Sequence, residues 1–583
     1  FVNGSGTNTG SIIVASPSLS GVFVNIGTNA VAVTNSGTIS NSKSNGYGIY
    51  LKSSTLSGGL INSGSIAGNE AIFLSAAAIS NGVSNVGSVN ASYIGISLAK
   101  GSTVSGGLAN SGSISGLTGI YLKSGSMLSG GIMNTGFISG TSIAGIYLNA
   151  SALDGGITNA GSISGGNNGI YVNQSTLTGG INNSGTITAS SVSNIGINIK
   201  SSSVLTQGIN NSGFIGQSKI GLGLSGATLS GGIVNQSGGQ ISGVGKLGLG
   251  ISVLNSLVND GIHNLGSVSG VNSGIYVNQS TLTGGIDNSG LISGGNIGIH
   301  VNQSSLTGGI TNTGTISGKT GIYLNAGSSL SGGIVNAGLI SGTSVTGLLM
   351  VLSSLSGGIN NTGTISGASS GIKISSSSIL TGGIANLGLI QGDTLDGIGV
   401  FSSTLSEGIT NTGSLVGGST GLGFDNAQLN GGIVNAGLIS GLMAGVYLSS
   451  STLAGGLENT GSISSGYVGV GLSQSSVSGG INNSGSIHGT TFGLLLAGGT
   501  TLSDGLLNSG FISGDQQVGV YLSASTLSGF IDNSGTISGG VVGIDMASGS
   551  LLNGGLTNSG LISGTYYAIN IDSSSNVTGG ILV

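Results

Sequence analysis

Few side chains in this sequence of 583 residues carry chemistry of their own: three histidines (His263, His300 and His488), nine lysines, fourteen acids, and neither arginine nor cysteine. Acid–base catalysis or metal binding needs such groups to converge on one point. The histidines fall at three different places in the repeat described below, and His300 occupies the place held by Tyr323 one repeat later. No metal or catalytic centre is expected from them. Asp393 and Asp396 are the closest acidic pair. A polysaccharide-cleaving β-helix would set such carboxylates beside Lys or Arg in a groove, and a solvated turn explains this pair more simply. The Gly-Gly-x-Gly-x-Asp nonapeptide of calcium-bound repeats does not occur. With a net charge of -5, no basic stripe for a phosphate backbone is expected. The reading is a chain that is not an enzyme, with no cofactor and no nucleic-acid partner.

Tyrosine offers another kind of chemistry, the stacking of sugar rings against an aromatic surface. Tyr121, Tyr147, Tyr171, Tyr276 and Tyr323 each follow Gly-Ile, and the first three do so in consecutive repeats. They are the candidate surface-binding residues, expected to form an outward ladder about 4.8 Å apart. Cross-strand packing that stabilises an exposed sheet is the competing reading. Ser97, Asn198, Lys373 and Asp545 hold the same place elsewhere, which argues against one continuous groove.

What positions these residues is a repeat. An Asn-x-Gly-x-aliphatic core recurs in 23 copies from Asn8 to Asn558, a mean period of 25 residues. Within a copy the period is two, as in a strand. Ile310, Asn312, Gly314 and Ile316 share one parity, and Ile322 and Leu324 share one in the next segment, leaving Tyr323 on the opposite face. Leu330 is a third apolar point before Gly332-Gly333, and Ile334 opens the next copy. In the copy at Asn235 two extra residues move the aliphatic to Ile241, and an even insertion preserves the alternation.

One copy cannot hold itself together. Ordering its backbone costs about 1 to 2 kcal/mol per residue, and each buried aliphatic returns about 1.5 to 3 kcal/mol. Stacked copies share apolar surface and hydrogen-bond ladders. The expected fold is therefore all-β: a single-stranded parallel β-helix, or β-solenoid, of about 23 coils with three short strands each. Left-handed forms usually read in hexapeptides, so the right-handed form is expected. Residues 1–583 form one continuous repeat domain in this reading, with 1–34 as an irregular first coil, and 23 coils at about 4.8 Å give a rod on the order of 110 Å. The core is expected to include Ile310, Ile316, Ile322, Leu324, Leu330 and Ile334. A structural ladder of amides is expected through Asn110, Asn134, Asn159, Asn183, Asn288, Asn312, Asn336, Asn361, Asn386, Asn411, Asn435, Asn459 and Asn483, because turn tolerance alone would let Gly and Asp alternate with Asn. Two long copies, from Asn183 to Asn211 and from Asn235 to Asn264, are expected to carry protruding loops.

Runs such as NNSGTIT (182–188), NTGTISG (312–318) and GIYLNAGSSLSGGIVNAGLISG (321–342) resemble the repeats of autotransporter passenger domains and related β-helical adhesins of Gram-negative bacteria. The resemblance covers nearly all of the chain. It implies an extracellular, cell-surface protein that serves adhesion or biofilm as a passenger or stalk. It also implies export with a signal peptide and threading through a C-terminal β-barrel, neither of which lies within these residues. A cysteine-free chain suits threading through an oxidising compartment. No run approaches the 18 apolar residues of a membrane span.

Charge is distributed unevenly. Up to Lys373 there are nine Lys and four acids, and beyond it ten acids and no Lys. A solenoid keeps sequence order along its axis, so head-to-tail association of the chain with itself is the expected partnership, with host or matrix glycans as the alternative partner.

Overall fold

The structure is a computed structural model that describes residues 6–14, 20–24, 29–190 and 194–582. These residues are all-β, with no helix among them. They form two compact units, Phe1–Gly295 and Asn296–Val583, and each is a parallel β-solenoid. Twelve coils in the first unit and eleven in the second carry the repeated Asn, about 23 in all.

One coil of the second unit serves for all. It runs through β1 (Ile310–Asn312), β2 (Thr315–Gly318), β3 (Thr320–Asn325) and β4 (Ser329–Leu330). Within each unit the counterparts of β1 line up in one sheet, those of β2 and β3 in a second, and those of β4 in a third. The three strands expected from the sequence thus correspond to three sheets. The middle one is divided into two segments by a tight bend at Gly318, where a β-carbon would stand 2.6 Å from the Thr320 carbonyl. In two early coils the division disappears, and Ser65–Ser75 and Ser88–Ala99 are single strands.

Alternation sets the core. Ile310 pairs with Ile334, Ile316 with Ile340, Ile322 with Leu348, Leu324 with Met350 and Leu330 with Leu355, all in parallel register. Each of these side chains is almost wholly buried, so like residues stack on like in an apolar column. Burial of one Leu or Ile contributes about 1.5 to 3 kcal/mol. The two-residue insertion after Asn235 is absorbed by a turn at Gln236–Gly239, and Ile241 still pairs with Ile215 on one side and Val268 on the other.

Two kinds of corner close the coil. At the first, a Gly two residues after the Asn, or Gly239 in the coil of Asn235, leaves room for the neighbouring coil: a β-carbon on Gly338 would meet the Gly314 oxygen at 2.1 Å. At the second, just after β3, the chain turns through the left-handed region on residues other than glycine, among them Ala326 (φ 54°), Leu352 (φ 51°) and Gln474 (φ 50°). Such a turn costs an ordinary residue about 1 to 2 kcal/mol.

At the N-terminal end, Gly6–Asn8, Ser11–Val14, Ser20–Val24 and Asn29–Ala30 are strands in parallel register with the following coil. The remainder of the irregular coil expected over 1–34 falls partly on residues 1–5, 15–19 and 25–28, outside the described residues. The extra length of the coil from Asn183 falls between Ala189 and Ile195, of which 191–193 also lie outside them, and that of the coil from Asn235 falls at 236–239 and 244–248.

Candidate functional site

The asparagines form the most regular polar feature. In the first unit the side-chain amide of each, from Asn8 to Asn264, donates through Nδ2 to Oδ1 of the Asn one coil later, at 2.7 to 2.8 Å. In the second the same chain runs from Asn312 to Asn558. The side-chain amide of Asn312 also donates to the Gly314 and Leu339 carbonyls, and the backbone carbonyl of Asn312 accepts from the Ala337 and Gly338 N–H groups. Most of these asparagines are at most 2% exposed. Only a side chain with donor and acceptor on one planar group fits: a carboxylate could accept but not donate, and would face a like charge in the next coil.

On the outward face of β3 and its counterparts, Tyr121, Tyr147 and Tyr171 are register partners in three consecutive coils. Their rings stack with centroids 4.6 Å apart and interplanar angles of 4° and 12°. All three are half-buried. Burial, with the flanking phenols adding to it, pushes the Tyr147 hydroxyl up to about 12, and burial raises that of Tyr121. The ammonium of Lys123 lies 5.0 Å from the centroid of Tyr121 and that of Lys200 5.2 Å from Tyr171. Tyr147 and the two lysines therefore cover the ring faces, and what the ladder offers to solvent is ring edges and hydroxyls. Beside it runs a polar row in which Asn173 Nδ2 donates to Asn149 Oδ1 at 2.7 Å.

Tyr276 and Tyr323 lie outside this ladder. Tyr276, half-buried, is a register partner of Ser252. Tyr323, in the second unit, stacks on His300 at 5.0 Å and 14°, and burial lowers the His300 imidazole to about 4. A second aromatic group, Tyr47, Tyr50 and Phe73, has centroids 4.8 to 5.2 Å apart.

Three arrangements escape a reading of sequence neighbours because their members are one coil apart. His263 Nδ1 lies 2.9 Å from Asp287 Oδ2, and its Nε2 lies 2.8 Å from the Asp260 carbonyl. His488 Nε2 lies 2.9 Å from Asp515 Oδ2. Both pairs are open to solvent and lie in different units. Separations of 24 and 27 residues, close to the period, are the signal that could have found them. The third concerns Asp396, expected on a solvated turn with Asp393. Asp393 is exposed, but Asp396 starts a strand and is only 9% exposed. Its carboxyl fills space left by two glycines, so that a β-carbon on Gly399 would stand 2.6 Å from Oδ2 and one on Gly423 3.0 Å from Oδ1. Burial pushes its pKa up to about 6 against the opposing pull of Lys373. The Lys373 ammonium itself sits 5.1 Å above the Phe401 ring.

Among the described residues no group of three or more His, Cys, Asp or Glu side chains could hold a metal ion, and no helix is long and apolar enough to cross a membrane. Comparison with known proteins gives no likeness to report: no family model, no curated protein and no solved structure matches the chain.

Proposed function

We propose that the chain is a non-catalytic structural scaffold, displayed outside a bacterial cell as an adhesin passenger, stalk or biofilm component. The observation that carries this reading is the unbroken amide ladder alongside a dry aliphatic column in each unit. It is an investment in persistent order, and the surface above it is rich in hydroxyls and poor in charge. Such a surface depends little on ion pairs and tolerates changing salt. The resemblance of the repeats to autotransporter passengers and β-helical adhesins supports the location. Removal of the chain from producing cells should lower attachment and biofilm mass, and protease added to intact cells should strip it. A chain untouched by external protease, or depolymerisation of a polysaccharide by the purified protein, would remove this reading.

The segregation of Lys and acids favours association of the chain with itself, head to tail in the simplest form. Glycan binding is the second reading, favoured by the tyrosine hydroxyls that line up beside Asn149 and Asn173. A sugar there would hydrogen-bond along ring edges rather than stack on a covered face. Glycan binding that persists in the triple variant Tyr121→Ala, Tyr147→Ala, Tyr171→Ala would exclude this site.

A further inference from the structure

The corner between β3 and β4 changes shape along one stretch of the first unit. After Lys200 the chain spends two residues on it, Ser201 (φ 57°) and Ser202 (φ 60°). The next three coils spend one each: Gly226 (φ 62°), Asn255 (φ 46°) and Gln279 (φ 49°). The longer corner forms a lip, and Gly226 beside it leaves a notch, in which a β-carbon would find the Ser201 nitrogen, at 4.0 Å, as its nearest contact. The result is a groove of about 680 Å³ that crosses four coils. Its floor is a half-buried column in parallel register, where Val204 and Leu257 alternate with Thr228 and Thr281. Its wall is the corner, from which Ser202, Asn255 and Gln279 reach solvent. The second unit repeats the construction on a smaller scale. Ser376–Ser377 is again a two-residue corner, Ser402 and Asn426 follow it, and the groove beside them measures about 370 Å³.

No charged side chain lines the first groove. The hydroxyls of Ser202, Thr228 and Thr281 and the amides of Asn255 and Gln279 bond to no other described residue. Donors and acceptors therefore face solvent coil after coil, at a spacing of about 4.8 Å. Val204 and Leu257 set apolar surface between them. Uncharged hydrogen-bonding groups at a regular spacing, next to aliphatic surface, match a chain molecule with the same alternation: hydroxyl groups around rings whose faces are C–H. We propose that the groove of the first unit binds an extended neutral glycan lying along the stack of coils. Asn255 and Gln279 hydrogen-bond its hydroxyls, and Val204 and Leu257 lie under the C–H faces of its rings. The site shares no residue with the tyrosine ladder and needs neither that ladder nor the scaffold reading.

Calorimetry on the full chain tests it, with neutral gluco-, manno- and galacto-oligosaccharides as probes and oligogalacturonate as the charged comparison. Asn426→Ala with Gln428→Ala, present throughout, keeps the smaller groove out of the reading. At least one neutral series should bind, and added salt should change its affinity little, because no ion pair forms. Asn255→Ala with Gln279→Ala should weaken that binding by about tenfold or more, since two hydrogen bonds are lost. Gly226→Leu should abolish it by filling the notch, and Leu352 (φ 51°) shows that leucine is accepted at this corner. Circular dichroism like the wild type shows that each variant folds. Failure of every neutral series to bind would overturn the proposal. So would binding that either variant leaves unchanged, or a preference for the galacturonate that fades with salt. Binding lost in the triple tyrosine variant but kept in Asn255→Ala with Gln279→Ala would place the sugar on the ladder and remove the groove.

Discussion

At the scale of single residues, the buried amide and the buried carboxyl behave in opposite ways. Asn361 accepts from Asn336 and donates to Asn386. Asn361→Ala strands one donor and one acceptor in an interior that water does not reach. It should lower stability by about 3 kcal/mol, measured by chemical denaturation, whereas Asn360→Ala on the exposed side of the same strand should cost little. Asp396 has the opposite sign of effect. Its folded pKa, about 6, lies above the ordinary value near 3.8, so the folded state holds a proton that the unfolded state has lost. Its contribution to stability is complete below pH 3.8 and is lost as pH rises through 6. Asp396→Asn should therefore stabilise the second unit at pH 7, by on the order of 2 kcal/mol, and leave it unchanged near pH 4. A stability gain that is equal at both pH values would refute the assignment. His300, lowered to about 4 from 6.5, opposes this trend: its contribution is present above pH 6.5 and is lost as pH falls toward 4.

At the scale of elements, the strands were legible because two periods coincide in the same residues. Ile310, Asn312 and Ile316 alternate along a strand, and the same triplet returns one coil later as Ile334, Asn336 and Ile340. The stacking of Tyr121, Tyr147 and Tyr171 could be anticipated for the same reason. The lysines over their faces could not, because a flexible side chain chooses its resting place by local packing that has no period. Nor could the burial of Asp396, which depends on glycine at both Gly399 and Gly423, one coil apart. The left-handed corner after β3 was also hidden, since Ala326, Leu352 and Gln474 share no chemical signature of that conformation. Leu352 is 54% exposed at this corner, so its side chain contributes little packing to offset the backbone cost. Leu352→Asn, a residue that tolerates positive φ, should raise stability by about 0.5 to 1 kcal/mol, read from the denaturation midpoint. No change would mean that the neighbouring coils have relaxed the strain.

At the scale of the whole molecule, a solenoid is a sum of nearly equivalent layers. Removing residues 336–360, one complete coil, should leave a chain that folds, because Ile310 keeps Ile334 as its partner and Asn312 then meets Asn361 in the register that Asn336 held. Deleting only 336–347 should not, since β1 of one coil would fall against β3 of the next. Circular dichroism and amide exchange would separate the outcomes: retained strand signal and protection in the first case, loss of both in the second. Equal tolerance of the two deletions would mean that coil register does not govern the fold.

Within each unit, every Asn-to-Asn hydrogen bond of the ladder runs from one coil to the following coil and none runs back. The side-chain dipoles therefore add along the stack, and each bond polarises the one beyond it. A unit built this way is vectorial: a newly ordered layer meets bare N–H groups on one side and bare oxygens on the other. Nucleation from the two directions is then inequivalent, and folding that starts in mid-chain should advance at different speeds toward the two termini.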